Sequence, residues 1–345
     1  MRINIIGFSS KGCALAKKIA GALDEHECLC FGKTIADRHG APQVRSMDSW
    51  TEGSFRTCDA IIFIGAAGIA VRHIAPYIKD KTKDPAIIVI DELGKNIIPI
   101  LSGHIGGANR ISKAIGERIG GNVVITTATD LNDVFAVDTF AADNGMYIRN
   151  MQMAKQISAR LLDGKTVCLR SDTQIEGELP KGIAYAEEGD AGIYITTSAR
   201  PGPFKRTLKL IPRNMTIGVG CHRDIDPTVL EKRILDVLRR NDISIHAIRA
   251  GGSIDLKKDE KGMLDFFRKY DIPLTFFSSE ELAGIEGEFT ASEYVRSITG
   301  VENVCERSAV AVSENGKIIV KKDAGEGVTV AGAKEDRTIS FGDAR

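Results

Sequence analysis

Two runs of five consecutive apolar residues, Ala60–Ile64 and Ala86–Ile90, constrain this chain more than any other feature. A strand with one face in water alternates apolar and polar side chains. A strand that is apolar throughout must be covered on both faces, as in a parallel sheet sandwiched by helices. Ile3-Asn4-Ile5-Ile6 and Ile97-Ile98-Pro99-Ile100 read as further buried strands. Helical spacing follows at Ala14 to Leu23, Ala66 to Ala75, with Pro76 beyond its end, and from Ile111 to Ile119. The run Asp91-Glu92-Leu93-Gly94-Lys95-Asn96 reads as a hairpin turn. Val123 to Thr126 is expected as a strand and Val134 to Ala142 as a helix.

The predicted architecture is α/β in three modules. Residues 1–136 form an N-terminal three-layer α/β/α module with a mostly parallel sheet. Residues 137–213 form a small middle α/β module, with a helix at Met151 to Leu162 and strands at Thr166 to Leu169, Gly192 to Thr196 and Leu208 to Ile211. Residues 214–335 form a separate C-terminal α/β domain. Its strand Thr216 to Gly220 runs into Cys221-His222-Arg223-Asp224, and Asp226 caps a helix that begins with Pro227. Ile245 to Arg249 reads as a strand leading to a turn at Gly251-Gly252-Ser253. Ser278-Ser279-Glu280-Glu281 carries a capping-box pattern, and Val304 to Val312 fits either a helix or a strand. The charged segment after Ala333 is expected to be a loose tail over 336–345.

Composition narrows the function. The 46 basic residues equal the 46 acidic ones in a chain of 345, so the basic surplus of a general nucleic-acid binder is absent. The seven cysteines include no C-x-x-C pair and read as small buried groups and free thiols of a reducing compartment. No apolar run approaches the roughly 18 residues of a membrane span, and the chain opens on a strand rather than an apolar leader. A cytoplasmic protein with neither nucleic-acid nor membrane partners is expected.

Glycine-rich turns between strand and helix are the candidate chemistry. The principal one is Leu101-Ser-Gly-His-Ile-Gly-Gly-Ala-Asn109, where glycines allow close backbone approach and a helix N-terminus favours an anion. Gly65-Ala-Ala-Gly68, with Arg72 and His73 a turn along, is the second. Gly7, Gly65 and Gly103 are expected at carboxyl ends of strands, with one shared crevice. Thr126, Thr127 and Asp130 end the strand after His104 and join it there if the two strands are neighbours. Gly7 to Gly12 lacks the G-x-G-x-x-G spacing, and no G-x-x-x-x-G-K-[ST] occurs, so nicotinamide and nucleoside-triphosphate enzymes are disfavoured.

Leu101-Ser-Gly-His-x-Gly-Gly-Ala-Asn109 followed by Ile125-Thr-Thr-Ala-Thr-Asp130 resembles the CbiG family of cobalamin-biosynthesis proteins. So do Gly218-Val-Gly-Cys221, Ser253-Ile-Asp-x-Lys-Lys-Asp-Glu260 and Val301-x-x-Val-Cys-Glu306, in order along nearly the whole chain. The C-terminal motifs also resemble a stand-alone corrin-pathway protein of the aerobic route. His222-Arg223 departs from the arginine-rich pair expected after Gly-Cys, so His222 is not carried over and Arg223 is.

The resemblance implies cobalt-precorrin-5A hydrolase activity in the anaerobic route to vitamin B12. The family opens a δ-lactone and releases C20 with its methyl as acetaldehyde. No cofactor is implied, because the cobalt travels with the corrinoid substrate; neighbouring corrin-pathway enzymes are possible partners. His104 is the candidate base, the Gly106 and Gly107 N–H groups are candidate oxyanion donors, and Glu260 or Asp130 the candidate proton relay. Gly65, Gly68, Arg72, Ser102, Gly103, Gly106, Gly107, Asn109, Thr126, Thr127, Arg223, Ser253, Lys257 and Glu306 are the substrate-binding candidates. A non-catalytic corrinoid binder or carrier of the same pathway is the alternative.

Overall fold

The computed structural model describes residues 1–34, 40–80, 83–104, 106–127, 131 and 134–341, and everything below concerns these. The chain divides into two compact units, Met1–Thr139 and Phe140–Arg345. No described helix is long and apolar enough to cross a membrane.

Unit 1 contains, in order, β1 (Arg2–Gly7), α1 (Ser10–Ala22), β2 (Glu27–Gly32), α2 (Met47–Thr57), β3 (Ala60–Ile64) and α3 (Ala67–Ile74). Then come β4 (Ala86–Ile90), β5 (Asn96–Leu101), α4 (Ala108–Ile119), β6 (Asn122–Val123) and the start of α5 (Val137–Asp143). The sheet order is β2-β1-β3-β4-β5-β6. The apolar runs behave as their composition requires. Ile62, Ile64, Ile88 and Ile90 pack with Ala16 and Ile19 of α1 and Ile111 and Ile115 of α4. Their alternates Ile61, Phe63, Ile87 and Val89 pack with Met47 of α2 and Ala70 and Ile74 of α3. The result is three layers, α/β/α.

Strand direction is decisive for the site. β1 pairs in parallel with β2 and β3, and β3 with β4. β5 runs antiparallel to β4, with Ile90 opposite Ile97 and Ile87 opposite Leu101, and β6 follows β5 in parallel. The hairpin read at 91–96 is present: the Asp91 carboxylate accepts from the Leu93, Lys95 and Asn96 N–H groups. It reverses the last two strands. β2 and α2 were not read from the sequence. The strand expected at Val123 to Thr126 is instead the two-residue edge strand Asn122–Val123, paired with β5.

Unit 2 continues with β7 (Met146–Ile148), α6 (Met151–Leu162), β8 (Val167–Ser171), β9 (Ile175–Glu176), β10 (Ile183–Tyr185), β11 (Gly189–Ile195) and β12 (Phe204–Pro212). These give a sheet ordered β10-β8-β11-β12-β7, with β7 antiparallel. β13 (Met215–Cys221), α7 (Pro227–Arg240), β14 (Ile248–Ile254), α8 (Lys261–Lys269) and β15 (Leu274–Phe277) follow. After them come α9 (Ser279–Ala283), α10 (Glu293–Thr299), α11 (Cys305–Ala311), β16 (Lys317–Gly325), β17 (Val328–Lys334) and β18 (Ile339–Ser340). Their sheet is β15-β14-β13-β17-β16.

The expected caps form. Asp226 accepts from Thr228 N at 2.7 Å ahead of Pro227, and Ser278 and Glu281 close the capping box. Val304 to Val312 resolves as helix. Gly251-Gly252-Ser253 is not a turn: β14 runs straight through it to Ile254, fully buried. A Cβ on Gly251 would meet the Phe267 ring of α8 at 2.0 Å, and one on Gly252 the Ser308 carbonyl of α11 at 2.6 Å. The pair lets helices pack closely on opposite faces of the strand. Residues 334–341 are not loose either, and the rest of the expected tail lies outside the described residues. Glu335 is buried, Ile339 and Ser340 pair with β9, and Phe341 stacks on Phe140. These contacts hold residues that charge alone marks as solvated.

Candidate functional site

The principal glycine turn lies where β5 ends. Ser102 sits at φ 56° and is held there by its hydroxyl, which donates to the Asp84 carbonyl at 2.9 Å. The backbone then folds on itself. Ala108 N donates to Ser102 O, Asn109 N to Gly103 O, and Gly107 N to His104 O at 2.8 Å. Gly107, at φ 81°, turns the chain into α4, and a Cβ on Gly106 would lie 2.4 Å from that of Ser102. Neither position admits a side chain without strain.

This closure corrects one expectation. The N–H of Gly107 is already bonded within the turn, as are those of Ala108 and Asn109, so most of the helix N-terminus is satisfied internally. Of the two expected oxyanion donors, Gly106 alone stays a candidate. Ser102 and Asn109 are buried and serve to shape the turn.

The turn places His104 against an acid that sequence reasoning missed. Its Nδ1 stands 3.3 Å from Asp138 Oδ1, and both side chains are largely buried. Asp138 comes from the first turn of α5. A carboxylate on Nδ1 sets the ring's orientation and favours the tautomer protonated there, which puts the basic lone pair on Nε2. The only local signal for Asp138 was an acid near a helix start, which usually complements the helix dipole.

β6 neighbours β5, and the chain beyond it runs on past the same edge. Asn109 Nδ2 donates to Thr127 Oγ1 at 3.0 Å, and Thr126 is exposed beside it. His104, Asn109, Thr126, Thr127 and Asp138 therefore gather at one edge of the sheet. Asp130 lies outside the described residues.

The second glycine turn does not join them. Gly65 N bonds to the Ile90 carbonyl, and Gly7 is opposite Ile64, so both lie at the carboxyl ends of the parallel strands. Gly103 follows Leu101, which is opposite Ile87 at the beginning of β4. The two turns occupy opposite edges, about 15 Å apart along a five-residue strand. The shared crevice is overturned, and Gly65, Gly68 and Arg72 leave the His104 site. Gly65 instead clears the Phe8 ring, which a Cβ would meet at 3.1 Å, while Gly68 and Arg72 are exposed.

The candidates of unit 2 sort by what holds them. Ser253 is fully buried and donates to Val219 O at 2.7 Å. Glu306, 1% exposed, accepts from Thr290 N, Thr290 Oγ1, Asn303 Nδ2 and Lys322 N. Both are internal ties rather than contacts for a ligand. The Glu260 carboxylate receives the Asp224 and Ile225 N–H groups at 3.2 Å, with Lys257 Nζ at 3.7 Å. It anchors the turn after β13, which leaves its expected part as a proton relay without support. Arg223 is exposed on that turn. Burial pushes the neighbouring Cys221 thiol up to about 11. No cluster of metal-ligating side chains occurs among the described residues.

Three family models match the chain in succession: Cobalamin synthesis G N-terminal over residues 49–130, Cobalamin biosynthesis central region over 135–212, and Cobalamin synthesis G C-terminus over 215–333. The chain belongs to the CbiG family. It is 32% identical to the cobalt-precorrin-5A hydrolase of Salmonella typhimurium (strain LT2), over 92% of this chain and 93% of that one. It is 30% identical to the cobalt-precorrin-5A hydrolase of Priestia megaterium, covering 80% and 79%. The probable cobalt-precorrin-5A hydrolase of Methanocaldococcus jannaschii is also 30% identical, over 97% and 100%. A solved structure of a putative cobalamin biosynthesis protein G homolog from Sulfolobus solfataricus aligns with TM-score 0.43 and 23% identity, covering 96% of this chain and 97% of that chain. In this CbiG chain His104 falls in the N-terminal match and Asp138 in the central one, so the imidazole–carboxylate pair joins two family segments.

Proposed function

We propose that the protein is a cobalt-precorrin-5A hydrolase of anaerobic cobalamin biosynthesis, acting on a cobalt corrinoid. The family and the full-length relatives support the substrate; the His104–Asp138 pair carries the chemistry. Cobalt arrives as part of the substrate.

Lactone opening adds water across the acyl carbon–oxygen bond, leaving a carboxylic acid and a free C20 hydroxyl. His104 takes the water proton through Nε2, and Asp138 holds the ring and steadies the imidazolium that forms. The Gly106 N–H and the hydroxyls of Thr126 and Thr127 are the donors offered to the tetrahedral oxyanion. His104 then returns a proton to the departing alkoxide oxygen. In the second stage a base removes the C20 hydroxyl proton and the carbon–oxygen double bond of acetaldehyde forms. The carbon–carbon bond breaks, its electron pair passes into the conjugated macrocycle, and a proton completes cobalt-precorrin-5B. Asp130 is a candidate for that second proton.

The deciding experiment incubates the protein with cobalt-precorrin-5A and assays acetaldehyde. Catalytic release supports a hydrolase that cleaves a carbon–carbon bond. Stoichiometric corrinoid binding without acetaldehyde would establish the carrier instead.

A further inference from the structure

At the edge of unit 2 where β13, β14 and β15 begin, a cavity of about 560 Å³ is lined by four arginines, Arg213, Arg249, Arg268 and Arg337, against one acid, Asp271. This is the edge away from Cys221 and Glu260. Arg213 precedes β13, Arg249 is the second residue of β14, Arg268 lies in the last turn of α8, and Arg337 follows β17. Arg213, Arg249 and Arg337 are partly buried; Arg268 is exposed and pairs with Asp265.

The cations outnumber the groups that answer them. The buried Glu335 carboxylate bonds Arg249 and stands 3.6 Å from Arg337 Nε. Among the described residues, Arg213 reaches two carbonyls, Ile248 O at 3.5 Å and Asp271 O at 3.4 Å, at the outer limit for hydrogen bonds. A guanidinium has five donors, and withdrawing it from water without an anion is unfavourable. The surplus charge is felt nearby. His246, stacked on Tyr147, is held below the usual imidazole range by burial and then by the charges of Arg149 and Arg213.

We propose that this cavity binds a small-molecule polycarboxylate. Guanidinium forks match carboxylates in pairs, and here they come from four separate chain segments around a volume typical of ligand pockets, roughly 300–1,000 Å³. That arrangement suits several carboxylates on one molecule. Two sources share this chemistry: the carboxylate fringe of a corrinoid, which rests on the proposed function, and a free di- or tricarboxylate.

The test is calorimetric titration of the full-length chain with propane-1,2,3-tricarboxylate at low salt. Binding to the parent and at least ~10-fold weaker binding to the Arg213→Gln/Arg337→Gln double variant, with an unchanged melting temperature, supports the site; each lost charge-assisted pair is worth about tenfold or more. If the double variant does not fold, Arg268→Gln, on which no buried group depends, replaces it, with about threefold weakening expected for an exposed cation. Absence of binding to the parent, or equal affinity in the folded variant, overturns the proposal. A corrinoid with free carboxylates then assigns the source: displacement of the tricarboxylate points to the corrinoid fringe, simultaneous binding to a free polycarboxylate. Binding is read without turnover, so this result and the acetaldehyde result stand or fall separately.

Discussion

The two edges of the N-terminal sheet carry similar glycine turns in different surroundings. At the carboxyl edge of the parallel strands, Gly7 and Gly65 make room for packing: a Cβ on Gly7 would lie 2.6 Å from the Cys13 nitrogen of α1. At the opposite edge, the glycines of 103–107 fold a turn around His104 and bring it to Asp138. Helices of α/β sheets usually meet ligands at the carboxyl edge. β5 also presents its carboxyl end to the site, but the hairpin before it has turned that end to the far side. A strand–glycine–helix motif therefore locates chemistry only once the direction of its strand is known.

The sharpest way to break this comparison is His104→Ala, expected to fold normally and release acetaldehyde at least ~100-fold more slowly, the scale for losing a general base. His104→Gln should fare no better, since glutamine hydrogen-bonds but carries no proton at neutral pH. A near-parental rate for Gln would make His104 a positioning group and move the base elsewhere. Asp138→Asn comes next, with turnover about 10- to 100-fold slower through misorientation of the ring. Its pH–rate profile should shift, since a neutral amide no longer steadies the imidazolium; an unshifted profile would make the pair merely structural.

The packing edge should respond in stability instead. Gly7→Ala is expected to cost about 1–3 kcal/mol, because its new methyl meets the backbone of α1 rather than a movable side chain. Thermal denaturation checks this, with turnover per folded molecule unchanged. Gly68→Ala, with nothing within 4 Å of its Cβ, should gain about 0.4–1 kcal/mol by restricting the unfolded chain. The smallest effect is Arg72→Ala, expected to leave turnover unchanged within measurement error. Should Arg72→Ala slow the reaction as much as Asp138→Asn, both edges serve the chemistry and the contrast collapses.

Elements with a strong local signature were legible. Ala60–Ile64 and Ala86–Ile90 occur where their unbroken apolar runs placed them, and Met151–Leu162, Asp226-Pro227 and Ser278–Glu281 carry the expected helix or cap. β2 was missed because Glu27–Gly32 is an edge strand whose exposed and half-buried residues make a weak pattern. Gly251-Gly252-Ser253 was misread as a turn because glycine pairs usually punctuate; here they admit Phe267 and the backbone of α11. Of the site, His104 and its glycines stood out in one contiguous motif, whereas Glu306 and Ser253 stood out equally and proved to be internal ties.

What the sequence determined by itself is what neighbouring residues decide among themselves: apolar periodicity, helix caps, the glycine turn at 103–107, and the hairpin at 91–96. The family was legible for the same reason, since its motifs are contiguous. Tertiary structure alone decided which acid faces His104, which glycines serve packing, and that three partly buried arginines converge on one cavity. Those relations join residues far apart in the chain, and their distances depend on the direction and order of strands, which no local pattern encodes.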